Sequence, residues 1–516
     1  MSRLKNFSRN LAASYLQLGV NVVYSLVSIP LILHWLPKAE FGLWALLVQM
    51  LGYLGLIDLG MTSAVGRLLV DHKDQRDAGT YGSLVKTSGM VSLVQGGIIL
   101  AIITLGSPLL ATMMKIPAEY QQTFITLMRM QGVFAAWTFC QRPLGLMLYA
   151  HQRMDIVSYN EMLNLAVSLG LLVFFLARGC GIFSFVYTNA FTALIGPCYL
   201  LWNCRRLELL PHAGRWGKVS WKIFKEVFAY GKDVFLMNLG AQLITASQTI
   251  IVSRTMGLEI AAIWSVGTKM FNLVVALMCR PYGAAIPGLY EIFVRNEMER
   301  LRNRFKEMVV LTASLGVFFA VSFALCNSLF VQVWTGGRIA WSPLNDVLLA
   351  VWLFMSSLQT THCCFVNVTK KFGGMRYMYF LEGCCFIGLA MFVGFRWNLP
   401  GIITCSILCT TLFSWQYGLR LSRKFFHCQF KELAFEWIRP SLKLAIILVP
   451  IAILAWIITA ALPSLWRLAS NAFVAGIVGG ILFLRVGLPP GMIKEAGLRL
   501  PHPANKLWQL VVSCKS

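Results

Sequence analysis

Apolar residues fall in long blocks divided by short polar connections. The blocks lie near 10–33, 41–66, 84–113, 122–150, 157–177, 181–202, 233–253, 259–283, 307–330, 343–367, 377–395, 400–419, 443–461 and 471–486. At about 1.5 Å rise per residue, ~20 residues in a helix cross the ~30 Å hydrocarbon layer of a bilayer. The pattern therefore predicts an all-α polytopic membrane protein with about fourteen transmembrane helices. One block stands apart: FGLWALLVQMLGYLGLIDLGMTSAVGR, from Phe41 to Arg67, is apolar but for a single acid, Asp58, and closes on a base. An acid at membrane depth costs about 2.5–3.5 kcal/mol, so Asp58 is expected to face protein or water.

Composition agrees with the pattern. Of 516 residues, 57% are hydrophobic and 13% charged, against about 25% charged in a soluble protein. The net charge of +24 would suggest nucleic acid as a partner, but its distribution argues otherwise. Most Lys and Arg lie on alternate connections, with Arg205, Arg206, Arg215, Lys218, Lys222 and Lys225 in one of them. The opposite side holds singletons such as Lys38, Lys115, Arg178, Arg338, Arg396 and Arg467. This asymmetry places the basic side, and both termini, in the cytoplasm, and it needs no nucleic acid. The first block is too long for a signal-peptide core and no A-x-A site follows, so it is expected to remain as the first span. The 14 cysteines, two pairs of them adjacent, show no metal-ligand spacing and read as small buried thiols.

Two cytoplasmic connections carry helical patterns. From Lys218 to Phe228, Trp221, Phe224 and Phe228 share one side and Lys218, Lys222 and Lys225 an adjoining arc, which predicts a helix in the headgroup plane. From Tyr290 to Lys306, Glu and Arg alternate at helical spacing, which predicts a solvated, salt-bridged extension. A weak repeat aligns Phe41-Gly42-Leu43-Trp44 with Ala261-Ala262-Ile263-Trp264, a parallel arrangement of two six-span halves. The resulting division is 1–204 for spans one to six, 205–232 for a basic linker, 233–420 for spans seven to twelve, and 421–516 for two extra spans and a tail.

The 41–67 stretch resembles the second-span signature of the polysaccharide transporter family, the Wzx-type O-antigen and exopolysaccharide flippases of the multidrug/oligosaccharidyl-lipid/polysaccharide exporter superfamily. Gly42, Trp44, Asp58, Leu59, Gly60 and Arg67 carry the likeness, with Trp264 and Lys269 in span eight. The resemblance implies two six-helix lobes in a V around a cationic cavity, plus two C-terminal helices. It implies flipping of a polyprenyl-pyrophosphate-linked oligosaccharide across the bacterial inner membrane by alternating access, without enzymatic chemistry or a cofactor; the buried acids allow coupling to H+ or Na+. Implied partners are the lipid-linked oligosaccharide, membrane lipids, and a polysaccharide polymerase with its chain-length regulator.

Fixed positive charge in a wet cleft would meet the pyrophosphate. The candidates are Lys269, Arg129, Arg142, Arg67 and Arg280. Arg67 and Arg280, near span ends, can also snorkel to the headgroups. Ion coupling would fall to Asp58 or Glu161, although pairing of Asp58 with a base is an equal alternative. Glu382 reads as a snorkelling end residue of span eleven. A lipid II flippase and a cation-coupled multidrug exporter share the superfamily, but the first block lacks the internal basic residues of the former and the acid of the latter. A membrane-embedded polymerase or glycosyltransferase would need a sizeable outer loop or an acidic metal cluster, and the sequence shows neither.

Overall fold

The structure, a computed structural model, describes residues 3–72, 79–212, 214–369, 374–489 and 491–493. Among these the chain is helical almost throughout and forms no strand. It packs as two compact units that divide between Ala262 and Ile263.

Ten helical stretches among the described residues are long and apolar enough to cross a membrane. One of them, Met375–Phe426, runs for 52 residues and is broken at Asn398, whose backbone (φ 52°, ψ −147°) is not helical, so it holds both blocks 377–395 and 400–419. The blocks 122–150, 233–253 and 343–367 are helical too, with more polar residues in them. The chain is a multi-pass, all-α membrane protein.

In the first unit, α1 (Arg3–Trp35) is anchored at its start to the turn between α5 (Ala118–Ala150) and α6 (Met154–Ala177). Arg9 and Arg153 each reach the buried Asp155 at 3.0 Å, and the Asn10 side chain accepts from the Asp155 amide at 2.9 Å. The second block is not one helix. It is α2 (Lys38–Leu54), a 3-10 turn (Gly55–Asp58), a left-handed corner at Leu59 (φ 50°) and Gly60 (φ 73°), and then α3 (Met61–His72). A β-carbon on Gly60 would sit 2.4 Å from the carbonyl oxygen of Gly231, so the corner needs glycine both for its φ and for this approach. Gly231 belongs to α8 (Trp221–Thr245), which packs on α3.

Between them, α4 (Thr80–Met113) lies against α5, and α6 lies against α1 and α7 (Ser184–Arg206). Tyr81, Leu84, Leu69, Met147, Ile156, Cys204 and Val227 form a core where these helices meet. Residues 221–228 are the first two turns of α8 and run straight into span seven, not a separate helix in the headgroup plane. The helix continues because nothing between Ser220, its N-cap, and Thr245 breaks the hydrogen-bond ladder. The aromatic face does form: Trp221 stacks on Phe224 at 4.7 Å and Phe224 on Phe228 at 6.0 Å.

After α9 (Ser247–Met256), the division between units falls inside α10 (Leu258–Gly267). α11 (Lys269–Val294) follows a bend at Thr268, where the Gly267 carbonyl accepts from the Asn327 side chain at 3.1 Å. The second unit is built around α12 (Met298–Trp334), which packs on α11, on α13 (Pro343–Thr369) and on α16 (Arg439–Ile458). Its first turns carry the expected ion pairs, Arg300–Glu297 at 2.8 Å and Arg304–Glu307 at 2.9 Å, and Arg302 reaches Glu432 at 2.7 Å. Phe305, Phe365, Phe426 and Trp437 cluster beneath them.

Glu382, in α14 (Met375–Thr410), is not at a membrane surface. It is 1% exposed and accepts from Ser414 at 3.1 Å. Its helix packs on the segment that holds Ser414, and this packing takes the carboxyl into the protein. α15 (Gln416–Phe426) and α17 (Ser464–Phe473) complete the long helices of the second unit.

A polar cavity in the first unit

Three helices of the first unit turn polar faces to a common space. On α5 the face is Gln131, Thr138, Gln141, Arg142 and Gly145; on α6 it is Asn160, Glu161, Asn164 and Ser168; on α7 it is Asn189, Thr192 and Gly196. These spacings of three, four and seven are one side of a helix. They enclose a cavity of about 550 Å³ whose apolar wall includes Leu51 of α2, Phe134 and Leu165. At the depth of spans four to six, so many amide side chains on one surface require water or a ligand beside them.

Part of that requirement is met within the wall. Asn189 donates to Oε1 of Gln131 at 2.9 Å. Nε2 of Gln131, Oδ1 of Asn160 and Oδ1 of Asn164 are buried and have no hydrogen-bond partner among the described residues. Gln131 is 3% exposed and Asn160 6%.

The basic member of the wall is held from behind. Arg142 Nη1 donates to Asp58 Oδ1 at 2.6 Å and to Thr62 Oγ1 at 3.2 Å, and its guanidinium lies 3.4 Å from the centre of the Phe139 ring. Asp58 in turn accepts from the Thr62 amide at 3.3 and 3.2 Å and from the Thr62 hydroxyl. The amide belongs to the first turn of α3, where the helix dipole favours negative charge. Gln95 of α4 donates to the Ile57 and Asp58 carbonyls at 3.1 and 3.2 Å and satisfies backbone groups that the corner leaves open. The broken span thus makes a seat for one carboxylate, and the carboxylate fixes one guanidinium.

The other residues of the signature have physical roles as well. A β-carbon on Gly42 would lie 1.8 Å from the Leu258 carbonyl oxygen, so α2 and α10 touch through it. Trp44 stacks on Phe185 at 4.1 Å with the rings 8° from parallel. Arg67 is on an exposed side of α3.

Of the residues singled out by sequence, Asp58, Arg142 and Glu161 come together around this cavity, Glu161 on its wall. Among the described residues Glu161 makes no ion pair. Arg129 is exposed on α5, and Lys269 is half-buried at the first position of α11 in the second unit. The side chain of Arg280 lies outside the described residues. Formal charge within the spans does not reveal the amides of the wall. The signal was there: Gln131, Asn160, Asn164 and Asn189 each interrupt an apolar block on one helical face. Among the described residues no group of three His, Cys, Asp or Glu is placed to hold a metal ion.

The fold is that of transporters of the MOP superfamily. The lipid II flippase MurJ in an inward closed conformation superposes with a TM-score of 0.67 at 10% identity, covering 92% of this chain and 98% of that one. An inward-facing multidrug resistance MATE family transporter gives 0.65 at 14%, covering 77% and 94%. A MOP superfamily transporter from Pyrococcus furiosus gives 0.57 at 14%, covering 82% and 97%. A search of curated proteins finds no significant match. Residues 34–343 match the family described as polysaccharide biosynthesis protein. The match spans more than half of the chain, and the chain belongs to that family.

Proposed function

We propose that this protein is a flippase that carries a polyprenyl-pyrophosphate-linked oligosaccharide across the bacterial inner membrane for surface polysaccharide synthesis. The observation that carries the reading is the cavity of the first unit, a polar surface of amides around one fixed guanidinium within spans of the membrane. Amides both donate and accept, which suits sugar hydroxyls, and a guanidinium suits phosphate oxygens. Nη1 of Arg142 is taken by Asp58 and Thr62, and the remaining donors serve the cavity. An exporter of cationic drugs would gain nothing from a guanidinium in its wall.

Asp58 then acts through Arg142 as its structural partner, and Glu161 is the carboxylate placed to bind a driving H+ or Na+. Lys269 supplies a second cation, with Arg67, Arg129 and Arg280 in lesser roles. The basic connections support a cytoplasmic side for both termini, and on this reading a reporter fused after Lys218 should read inside and one after Arg178 outside; the reverse would invert the scheme. A polymerase and chain-length regulator would receive the product.

Deleting the gene should abolish surface polysaccharide and leave lipid-linked oligosaccharide accumulating on the cytoplasmic leaflet. Lys269→Arg should restore much of the polymer and Lys269→Ala little, at equal membrane levels. Unchanged polysaccharide with increased drug sensitivity would favour the exporter. Arrested peptidoglycan with accumulated lipid II would favour a lipid II flippase, whose substrate offers the same diphosphate on a polyprenyl chain.

A further inference from the structure

A second cavity, of about 1100 Å³, lies wholly in the second unit at the end of α12 where the Arg and Glu residues cluster. Its rim carries four cations: Lys306 of α12, Arg439 and Lys443 at the start of α16, and Arg485. Two acids share the rim, Glu436 and Glu307, the latter engaged by Arg304 at 2.9 Å, so cations outnumber acids there. The inner wall is apolar, formed by Val310, Ile446, Ile447 and Leu488.

The wall continues out of the cavity. Along α16, Ile446 (72% exposed), Val449 (41%), Ile453 (55%) and Ile457 (64%) recur at intervals of three and four, so one bare apolar stripe leads from the cationic rim down the length of the helix. A cationic end at the level where a span leaves the membrane, joined to a stripe inside it, is complementary to a molecule with an anionic head and apolar chains.

We propose that this groove binds an anionic glycerophospholipid, its phosphate among Lys306, Arg439, Lys443 and Arg485 and an acyl chain on the stripe. The chain's own C-terminal segment is a poor occupant, because residues 494–516 carry Lys494, Arg499, Lys506 and Lys515 against one acid, Glu495. A soluble partner is disfavoured because the stripe lies at hydrocarbon depth in a helix of 20 residues that is apolar from Leu444 onward. The site is separate from the cavity of the first unit and does not depend on the transport reading.

Native mass spectrometry of the full-length protein in uncharged detergent tests the proposal, with phosphatidylglycerol and phosphatidylethanolamine offered in equal amounts. Phosphatidylglycerol should be retained in preference, and less so as salt rises. Arg439→Gln with Lys443→Gln should lower its retention by about tenfold, while Lys424→Gln, at an exposed site on α15, should not. Lys443→Arg should retain the lipid, which guards against reading a folding defect as lost binding. Equal retention of the two lipids, or of phosphatidylglycerol by the double variant, would overturn the proposal. Displacement by equimolar inorganic phosphate would show a plain anion site, and displacement by equimolar polyprenyl diphosphate a substrate site; either result would also overturn it.

Discussion

Arg142 is the residue on which the first cavity turns, and its state is decided by Asp58. An unpaired guanidinium or carboxylate at this depth is costly, and losing one member of a fully buried pair costs about 3–5 kcal/mol. Here the side chains are 24% and 16% exposed, so the cost should be at the low end or below. Arg142→Ala and Asp58→Ala should each lower the melting temperature in detergent, and the double variant should melt above the sum of the two losses. Strictly additive losses would mean that the pair does not couple. The double variant also separates structure from function. If Arg142 meets substrate, Asp58→Ala/Arg142→Ala should be inserted and comparatively stable yet fail in transport. Asp58 is seated on the Thr62 amide and paired with a guanidinium, which supports the pairing role over the ion-coupling role that the sequence also allows.

The element that matters most is the broken second span. Hydropathy reads Phe41–Arg67 as continuous because side-chain polarity carries no information about φ. The corner is written in other letters, Asp58 and Gly60, a helix-capping acid and, two residues on, a glycine free to take a positive φ. Gly60→Ala must place a side chain at φ 73° and 2.4 Å from the Gly231 carbonyl. It should lower the melting temperature more than Gly52→Ala, which adds a β-carbon with nothing within 4 Å. Equal effects would show that the corner can relax. The helix faces of the cavity were legible in principle, since Asn160 and Asn164, or Gln131 and Thr138, stand at helical spacing. An amide barely lowers an apolar average, however, and only contact between helices shows that three such faces converge. The contacts that tie the stretch before α8 to α4, the Lys218 amide to Ser83 at 3.3 Å and the Ser220 amide to Thr87 at 3.1 Å, are likewise matters of tertiary packing.

For the molecule as a whole, alternation of apolar blocks and basic connections was enough to give a multi-pass all-α chain, because the bilayer forces every backbone group into a helix or a closed barrel. The fourteen blocks fall on helices, interrupted inside the second at Leu59–Gly60 and inside the eighth at Thr268, and the family match agrees with the resemblance carried by the 41–67 stretch. Which surfaces meet, and therefore where the cavity lies, depends on tertiary packing that no single block encodes. On the proposed function, the polar head of a lipid-linked oligosaccharide passes along the wall of Arg142, Asn160 and Asn164. The most direct test of this route is flipping of a fluorescent short-chain polyprenyl-diphosphate saccharide by the purified protein in liposomes, read as protection from a membrane-impermeant quencher. The wild type should flip the saccharide, and Arg142→Gln and Asn164→Leu, folded and inserted as well as the wild type, should slow it by about tenfold or more, as loss of a charge-assisted contact predicts. Wild-type rates in both variants would contradict the account.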